Sequence, residues 1–147
     1  MSWEPVETVV APIDFSPSSR GCVREAVAMA KRPDCVHVLH VIPKPGPIWW
    51  LPAPKAPSEE ERRLEFARNH LATWLASNEI DGVRPDVVFG DPGEMIVEYA
   101  DDAGADLIVI PSHGYHGFKR ALLGSVTERV IRHARCPVYV LRCLGAG

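Results

Sequence analysis

The feature that most constrains this chain is a regular alternation of short apolar runs with longer segments of helical periodicity. Four segments carry apolar residues at i, i+3 and i+4 spacing, which is typical of helices that bury one face. Because strands and helices alternate throughout, the sequence predicts an α/β fold with one five-stranded parallel sheet and helices on both of its faces. The five predicted strands are residues 8–14, 35–42, 84–89, 106–110 and 138–141.

Local signals predict where several helices begin and end. Ser16-Pro17 and Asp91-Pro92 each place a capping residue before a proline that suits the first helical position. Gly104 is expected to close the helix that starts at Asp91, since glycine readily adopts the left-handed conformation of a C-cap. Lys31 and Arg32 are expected in the last turn of the first helix, which Pro33 would stop.

Two further helix starts have the spacing of a capping box, in which Ser or Thr is followed three residues later by Glu or Gln. These are Ser58 with Glu61 and Ser125 with Glu128. The stretch 43–57 before the first of them holds six prolines and the pair Trp49-Trp50, so it is predicted to be a loop. The two tryptophans are interpreted as packing on the protein's own surface, or as a lid or subunit contact.

Length and charge narrow the class of protein. The 147 residues fit one domain, and we expect a single domain over 1–147. Sixteen basic against 19 acidic residues give a net charge of −3, which offers no reason to expect nucleic acid or an anionic membrane as a partner. No apolar run approaches the roughly 20 residues of a membrane span, and Glu4 and Glu7 stand where a signal peptide would be basic. The predicted location is therefore cytoplasmic.

The scattered cysteines and histidines do not predict a metal centre. Cys22, Cys35, Cys136 and Cys143 lie in apolar stretches without a close pair, so they are interpreted as reduced core residues. His37 and His40 are interpreted as sharing one face of a strand, but no third ligand follows at useful spacing. We expect neither a metal held by protein ligands nor a catalytic residue.

The predicted sheet directs attention to one of its edges. In open parallel sheets, ligands bind beyond the carboxyl ends of the strands, where the strand order reverses. The residues at those ends are Asp14, the pairs 41–42 and 90–91, and the stretch 111–114.

The stretch 111–125 carries the strongest chemical signal. Gly114 and Gly117 allow sharp turns, and Gly124-Ser125 opens a helix whose amino end favours an anion such as phosphate. Lys119 and Arg120 would add positive charge. A simpler interpretation is that Ser125 caps its own helix together with Glu128. The residues alone leave both interpretations open.

These segments resemble the universal stress protein family. The resemblance is carried by 112–114, 122–130 and 136–138, and by the opening stretch 9–16. ATP-binding members carry Gly-x2-Gly-x9-Gly-(Ser/Thr), and here nine residues separate Gly114 from Gly124-Ser125. The resemblance implies a Rossmann-like sheet of the adenine nucleotide α-hydrolase type. It also implies ATP or another adenine nucleotide as ligand. Separately from the resemblance, Asp14 is a candidate to support a nucleotide-bound Mg²⁺ through water.

The resemblance further implies a set of binding residues, each at a carboxyl strand end or in the last loop and helix. The first strand would line the adenosine, the second would meet adenine through its main chain, and the loop would border the ribose and phosphates. The start of the last helix would hold phosphate oxygens through amides and hydroxyls. In that order, the residues are Pro12, Ile13 and Asp14; Val41; Ser112, His113 and Gly114; Gly124, Ser125, Val126 and Thr127.

The chain departs from the family motif at one position. The first motif glycine is replaced by Pro111, which lacks an N–H and has a fixed φ. If that glycine is needed for close backbone approach, binding is weakened or shifted. If only the later amides hold phosphate, Pro111 is tolerated because it ends a strand, and we favour this second interpretation.

The last strand bears on assembly. It is predicted to lie at an edge of the sheet, where an unprotected apolar strand favours pairing with a second copy. The resemblance implies the same homodimer.

The leading hypothesis is an ATP-binding stress-response regulator that acts on an unidentified protein partner. One alternative is a relative of the same fold that binds no nucleotide and acts through protein association alone. Another is an enzyme, either one that hydrolyses ATP slowly or one that forms adenylates.

Overall fold

The computed structural model describes residues 4–44, 57–113 and 123–142. Its five strands and four helices alternate in the predicted order, with one turn of 3-10 helix at Pro33–Cys35. Gly114, Lys119, Arg120, the Trp49-Trp50 pair and Cys143 lie outside the described residues. The elements are β1 (Val9–Ile13), α1 (Pro17–Met29), β2 (Val36–Ile42), α2 (Pro57–Ser77), β3 (Arg84–Phe89), α3 (Pro92–Ala103), β4 (Leu107–Pro111), α4 (Ser125–His133) and β5 (Val138–Leu141).

The five strands form one parallel sheet in the order β3-β2-β1-β4-β5, which confirms the predicted α/β fold. Strand order reverses between β1 and β4. In the described residues these two strands pair at Val9 with Leu107 and at Val10 with Ile108, whereas β1 pairs with β2 along its whole length. The carboxyl halves of β1 and β4 therefore leave a crevice between them.

Helices cover both faces of the sheet. Val9 and Val36 point into a core shared with α1 and α2, whereas Val10, Leu39 and Ile108 point into a second core shared with α3 and α4. All five of these side chains are fully buried. Because strands covered on both faces have no solvent side, they appear in the sequence as continuous apolar runs.

Three local predictions about helix ends are confirmed. Ser16 occupies the N-cap of α1 with Pro17 following. Asp91 caps α3, its Oδ2 accepting a hydrogen bond from the Glu94 amide at 3.0 Å. Gly104 ends the same helix with φ of 64°, in the left-handed region.

The predicted end of α1 is wrong. The helix ends at Met29, before Lys31 and Arg32. The reason is a short pairing with the segment that precedes β1: the Val6 amide donates to the Met29 carbonyl at 3.0 Å, and the Lys31 amide donates to the Val6 carbonyl at 2.9 Å. These bonds draw the chain out of the helix several residues before Pro33.

The two predicted capping boxes are also not formed. Helix α2 begins at Pro57, so Ser58 lies inside its first turn. In α4 the N-cap is Gly124, and Ser125 is the first helical residue. Glu128 is paired with Arg132 at 2.9 Å and does not reach back to the cap. The simpler interpretation of Ser125, as the cap of its own helix, therefore fails.

His37 and His40 do not share a face, contrary to the prediction. Three positions separate them, so alternation sends their side chains to opposite sides of β2. His37 meets Tyr99 of α3, whereas His40 packs on Phe15 beside α2.

Of the described cysteines, Cys22 and Cys35 are buried as predicted, and Cys136 is half-buried. Within the described residues, no helix is both long and apolar enough to cross a membrane.

Candidate functional site

A cavity of about 390 Å³ opens at the carboxyl edge of the sheet, at the crevice between β1 and β4. Its size is within the usual range for small-molecule sites. Most of the residues singled out from the sequence line it: Pro12, Ile13, Asp14, Val41, Pro111, Gly124, Ser125, Val126 and Thr127.

Sequence reasoning missed several lining residues, most of them apolar: Leu39, His40, Pro43, Pro92, Ile96 and Ile110. Strand alternation contained the signal for Leu39, because Leu39 shares a face with Val41, which the sequence had singled out. Pro92 was recognised as the first residue of its helix, and a helix that follows a strand starts at the carboxyl edge of the sheet. Ile96 lies one turn further along that helix.

Pro111 fits its position without loss of a ladder bond. The Ile108 amide donates to Pro137 and the Ser112 amide donates to Leu141, so even-numbered residues of β4 bond toward β5. An amide at residue 111 would therefore point toward β1. There the pairing of the two strands has already ended. Proline at this position therefore costs the sheet no hydrogen bond, because an N–H here would face the crevice and not a neighbouring strand.

Asp14 is held in place by the first turn of α1. Its Oδ1 accepts hydrogen bonds from the Ser16 amide at 3.0 Å and from the Ser19 hydroxyl at 3.2 Å. Ser16 is 4% exposed and Ser19 is fully buried. Asp14 itself is exposed and lines the cavity, so a buried pair of donors orients a carboxylate that solvent or a ligand can reach.

Main-chain bonds tie the end of β4 to the start of α4 and to β5. The Gly124 amide donates to the Ser112 carbonyl at 2.7 Å, and the Ser112 amide donates to Leu141 of β5 at 2.8 Å. The His113 carbonyl accepts from the Ser18 hydroxyl at 3.3 Å. Ser112 and His113 are not among the residues that line the cavity. The predicted contacts of these two residues with ribose and phosphates therefore stay a prediction.

The amino end of α4 faces the cavity. The first intrahelical bond is donated by the Glu128 amide to the Gly124 carbonyl at 2.9 Å, so the amides of Ser125, Val126 and Thr127 precede the ladder. The Thr127 hydroxyl donates to the Pro111 carbonyl at 2.7 Å and is buried. What this end offers a ligand is three amides and the Ser125 hydroxyl, with the positive end of the helix dipole behind them.

The amino end of α3 lies at the same edge but carries its own anion. Asp91 Oδ2 accepts from the Glu94 amide and also from Arg129 Nη1, at 2.8 Å. The N-cap of α4, in contrast, is a glycine without a side chain. An anionic group entering the cavity is therefore favoured at α4 and disfavoured at α3.

His40 presents a defined tautomer to the cavity. Its Nδ1 lies 3.0 Å from the Ile13 carbonyl, which can only accept, so Nδ1 carries the proton. In the neutral ring, Nε2 is then an acceptor. The Phe15 ring packs on this imidazole with centroids 4.6 Å apart, and it makes a similar contact with His70 of α2. Phe15 itself has φ of 63°, a conformation that is uncommon for non-glycine residues.

The charge of the cavity wall is low. Asp14 is the one carboxylate among its described lining residues, and neither lysine nor arginine is among them. No cluster of three His, Cys, Asp or Glu side chains suited to a metal occurs in the described parts of the chain. A divalent cation here would depend on ligand phosphates for most of its coordination.

The parallel sheet with helices on both faces, and the apolar cavity at its switch point, define an open α/β protein of the Rossmann-like class. Within that class, the universal stress protein family model matches residues 5–142. The chain belongs to the universal stress protein family.

Individual relatives agree with this assignment. Universal stress protein MJ0531 of Methanocaldococcus jannaschii is 32% identical in an alignment of 142 positions that covers 91% of this chain and 81% of that protein. Universal stress protein G of Escherichia coli O157:H7 is also 32% identical, over 92% of this chain and 99% of its own.

Solved structures share the fold. That of MJ0577, also from M. jannaschii, superposes with a TM-score of 0.71 at 31% identity and covers 96% of this chain and 99% of its own. A universal stress protein solved in complex with cAMP has a TM-score of 0.61 at 22% identity, covering 94% of this chain and 98% of its own.

Proposed function

We propose that the protein binds an adenine nucleotide, ATP in the first instance, in the cavity between β1 and β4 and acts as a regulatory member of its family. The observation that carries the proposal is the amino end of α4, where three amides without intrahelical partners face an apolar cavity of about 390 Å³. A base needs apolar walls, whereas phosphate needs donors, and this cavity supplies both.

The walls suggest how the ligand lies. Leu39, Val41, Ile96 and Ile110 form an apolar surface suited to a planar base. The oriented carboxylate of Asp14 suits the ribose hydroxyls, and the amides of Ser125 to Thr127 suit phosphate oxygens. The family relative solved with cAMP supports an adenine nucleotide as the ligand class. With Asp14 as the one lining carboxylate among the described residues, Mg²⁺ would be held through the phosphates and water.

We further propose a homodimer joined through β5. This strand lies at one end of the sheet order, and each of its residues is half-buried in the single chain. A protein partner that responds to the bound nucleotide remains a prediction from the sequence. A cytoplasmic location is likewise a prediction from the sequence. Any hydrolysis of ATP is expected to be slow, because the described wall places neither lysine nor arginine beside the amides of Ser125 to Thr127.

A negative charge placed at the proposed phosphate site, the amino end of α4, tests the proposal. Ser125→Asp adds a carboxylate at the first helical position of α4, where it complements the helix dipole and should keep or raise thermal stability. The same carboxylate should repel phosphate and weaken ATP binding by more than about 10-fold. Ser125→Asn is the matched neutral control and should bind ATP within about 3-fold of wild type. Affinity is measured by isothermal titration calorimetry and stability by thermal unfolding.

Two results would contradict the proposal. The first is wild-type protein that neither binds ATP nor releases a nucleotide on denaturation, which would favour the alternative that acts by association alone. The second is equal ATP affinity in Ser125→Asp and Ser125→Asn, which would show that phosphate lies elsewhere.

A further inference from the structure

The buried hydroxyl of Ser19 is a polar group that the proposed site does not use directly. Ser19 lies in the first turn of α1 and is fully buried, and unlike Asp14 it does not line the cavity. A buried hydroxyl costs free energy unless it is hydrogen-bonded. Here it forms a two-way contact with one residue: Oγ donates to Asp14 Oδ1 at 3.2 Å, and Oγ accepts from the Asp14 amide at 3.4 Å.

The geometry around Asp14 indicates what this contact does. The Ser16 amide reaches the same carboxylate oxygen, Oδ1, at 3.0 Å. Two donors on one oxygen restrict rotation of the carboxyl group. Because Asp14 is exposed, loss of the Ser19 donor would loosen this orientation. Restricting it before the ligand arrives lowers the entropy lost on binding.

We propose that Ser19 is a positioning residue for nucleotide binding, acting through Asp14 and without contact to the ligand. The inference rests on the proposed function, and it extends that function to a residue buried behind the cavity wall. It also gives the first turn of α1 a role in the site, although α1 supplies no residue to the cavity wall among those described.

A double-mutant cycle tests the inference with ATP as the probe. Ser19→Ala should weaken ATP binding by about 5-fold. If Ser19 acts only through Asp14, adding Ser19→Ala to Asp14→Ala should change affinity no further. A merely structural role would weaken binding in both backgrounds, and that result would overturn the inference. So would unchanged affinity in Ser19→Ala.

Two further variants keep the test independent of folding defects. Cys22→Ala removes another fully buried donor from α1, one turn further on, where the thiol donates to the Val109 carbonyl at 3.1 Å. It should lose stability without changing ATP affinity. Ser19→Cys keeps a weaker donor of similar size and should give an intermediate affinity. Equal losses in Cys22→Ala and Ser19→Ala would overturn the positioning role.

The inference can fail separately from the proposed function. If wild-type protein binds no ATP, the proposed function fails, and ligand-free crystal structures of wild type and Ser19→Ala then decide the positioning role. A carboxylate of Asp14 that turns away from the Ser16 amide in the variant supports it. A carboxylate found in the same place in both structures overturns it.

Discussion

His37 and Tyr99 meet on the face of the sheet that α3 covers, with His37 Nδ1 3.1 Å from the Tyr99 hydroxyl. Burial lowers the pKa of His37, and the neighbouring Arg84 guanidinium lowers it further. Burial also raises the pKa of Tyr99 to about 12, with Asp86 contributing. Near neutral pH this contact is therefore between two uncharged groups.

The lowered pKa of His37 makes stability depend on pH. Its proton is bound less readily in the folded protein than in the unfolded chain, where the pKa is about 6.5. Below about pH 6.5 the unfolded chain therefore takes up more protons, and the free energy of unfolding falls as pH falls through this window. His37→Gln, which cannot titrate, should lose less stability than wild type between about pH 7.5 and about pH 5.5. Urea unfolding at the two pH values measures the difference, and equal losses in both proteins would contradict the assignment.

The turn that joins β3 to α3 depends on a glycine for two reasons. Gly90 has φ of +146°, and a Cβ at this position would run into the side chain of Met95. Its amide also donates to the Ile42 carbonyl at 3.0 Å, which ties the turn to the end of β2. Gly104, at the other end of α3, has φ of +64° but no atom within 4 Å of an added Cβ.

Gly90 and Gly104 flank the same helix, α3, so the stability cost of alanine can be compared between the two positions. Gly104→Ala should destabilise by about 1 kcal/mol, from backbone strain alone. Gly90→Ala should cost about 2–4 kcal/mol, because strain and steric overlap add. Met95→Ala should remove the steric part, so Gly90→Ala should cost less in that background. Chemical denaturation of the five proteins, wild type included, checks the ranking. Equal costs at positions 90 and 104 would argue against it.

Helix ends were predictable where the backbone preference of a single residue determines them. Pro17, Asp91 and Gly104 each act through a local backbone preference, and each lies where that preference places it. The end of α1 was not predictable, because the pairing of Val6 with Ala30 is a contact between distant parts of the chain. The cap of α4 was mispredicted for the same reason, since the Gly124 amide is held by Ser112, which is distant in the sequence.

At the scale of the molecule, one edge of the sheet is suited to pairing with a second copy. The carbonyls of Pro137 and Leu141 accept bonds from β4, so the main-chain groups of Val138 and Val140 point away from it. Val140→Pro should therefore remove an outward donor while leaving the pairing with β4 intact. We expect wild type to be a dimer and Val140→Pro a monomer with a nearly native circular dichroism spectrum. Light scattering after gel filtration measures the mass, and a dimeric variant would place the interface elsewhere.

The candidate site was predictable in part at this scale. The location beyond the strand ends follows from topology, and the motif residues Gly124 and Ser125 indicated that the amino end of α4 belongs to the candidate site. The apolar wall was not found, because Ile96 and Ile110 look like ordinary core residues in the sequence. What brings them to the cavity is the separation of β1 from β4, which no local pattern records.

The burial of β1 has a consequence for how any ligand would be sensed. Val9, Val10 and Ala11 are fully shielded from solvent in the middle of the sheet, and the same strand ends at the cavity. Such a strand exchanges its amide hydrogens only when the entire domain opens. A molecule bound at the end of β1 would therefore slow exchange of the slowest-exchanging amides of the protein. The exchange rate of these amides would then report how much of the protein has ligand bound.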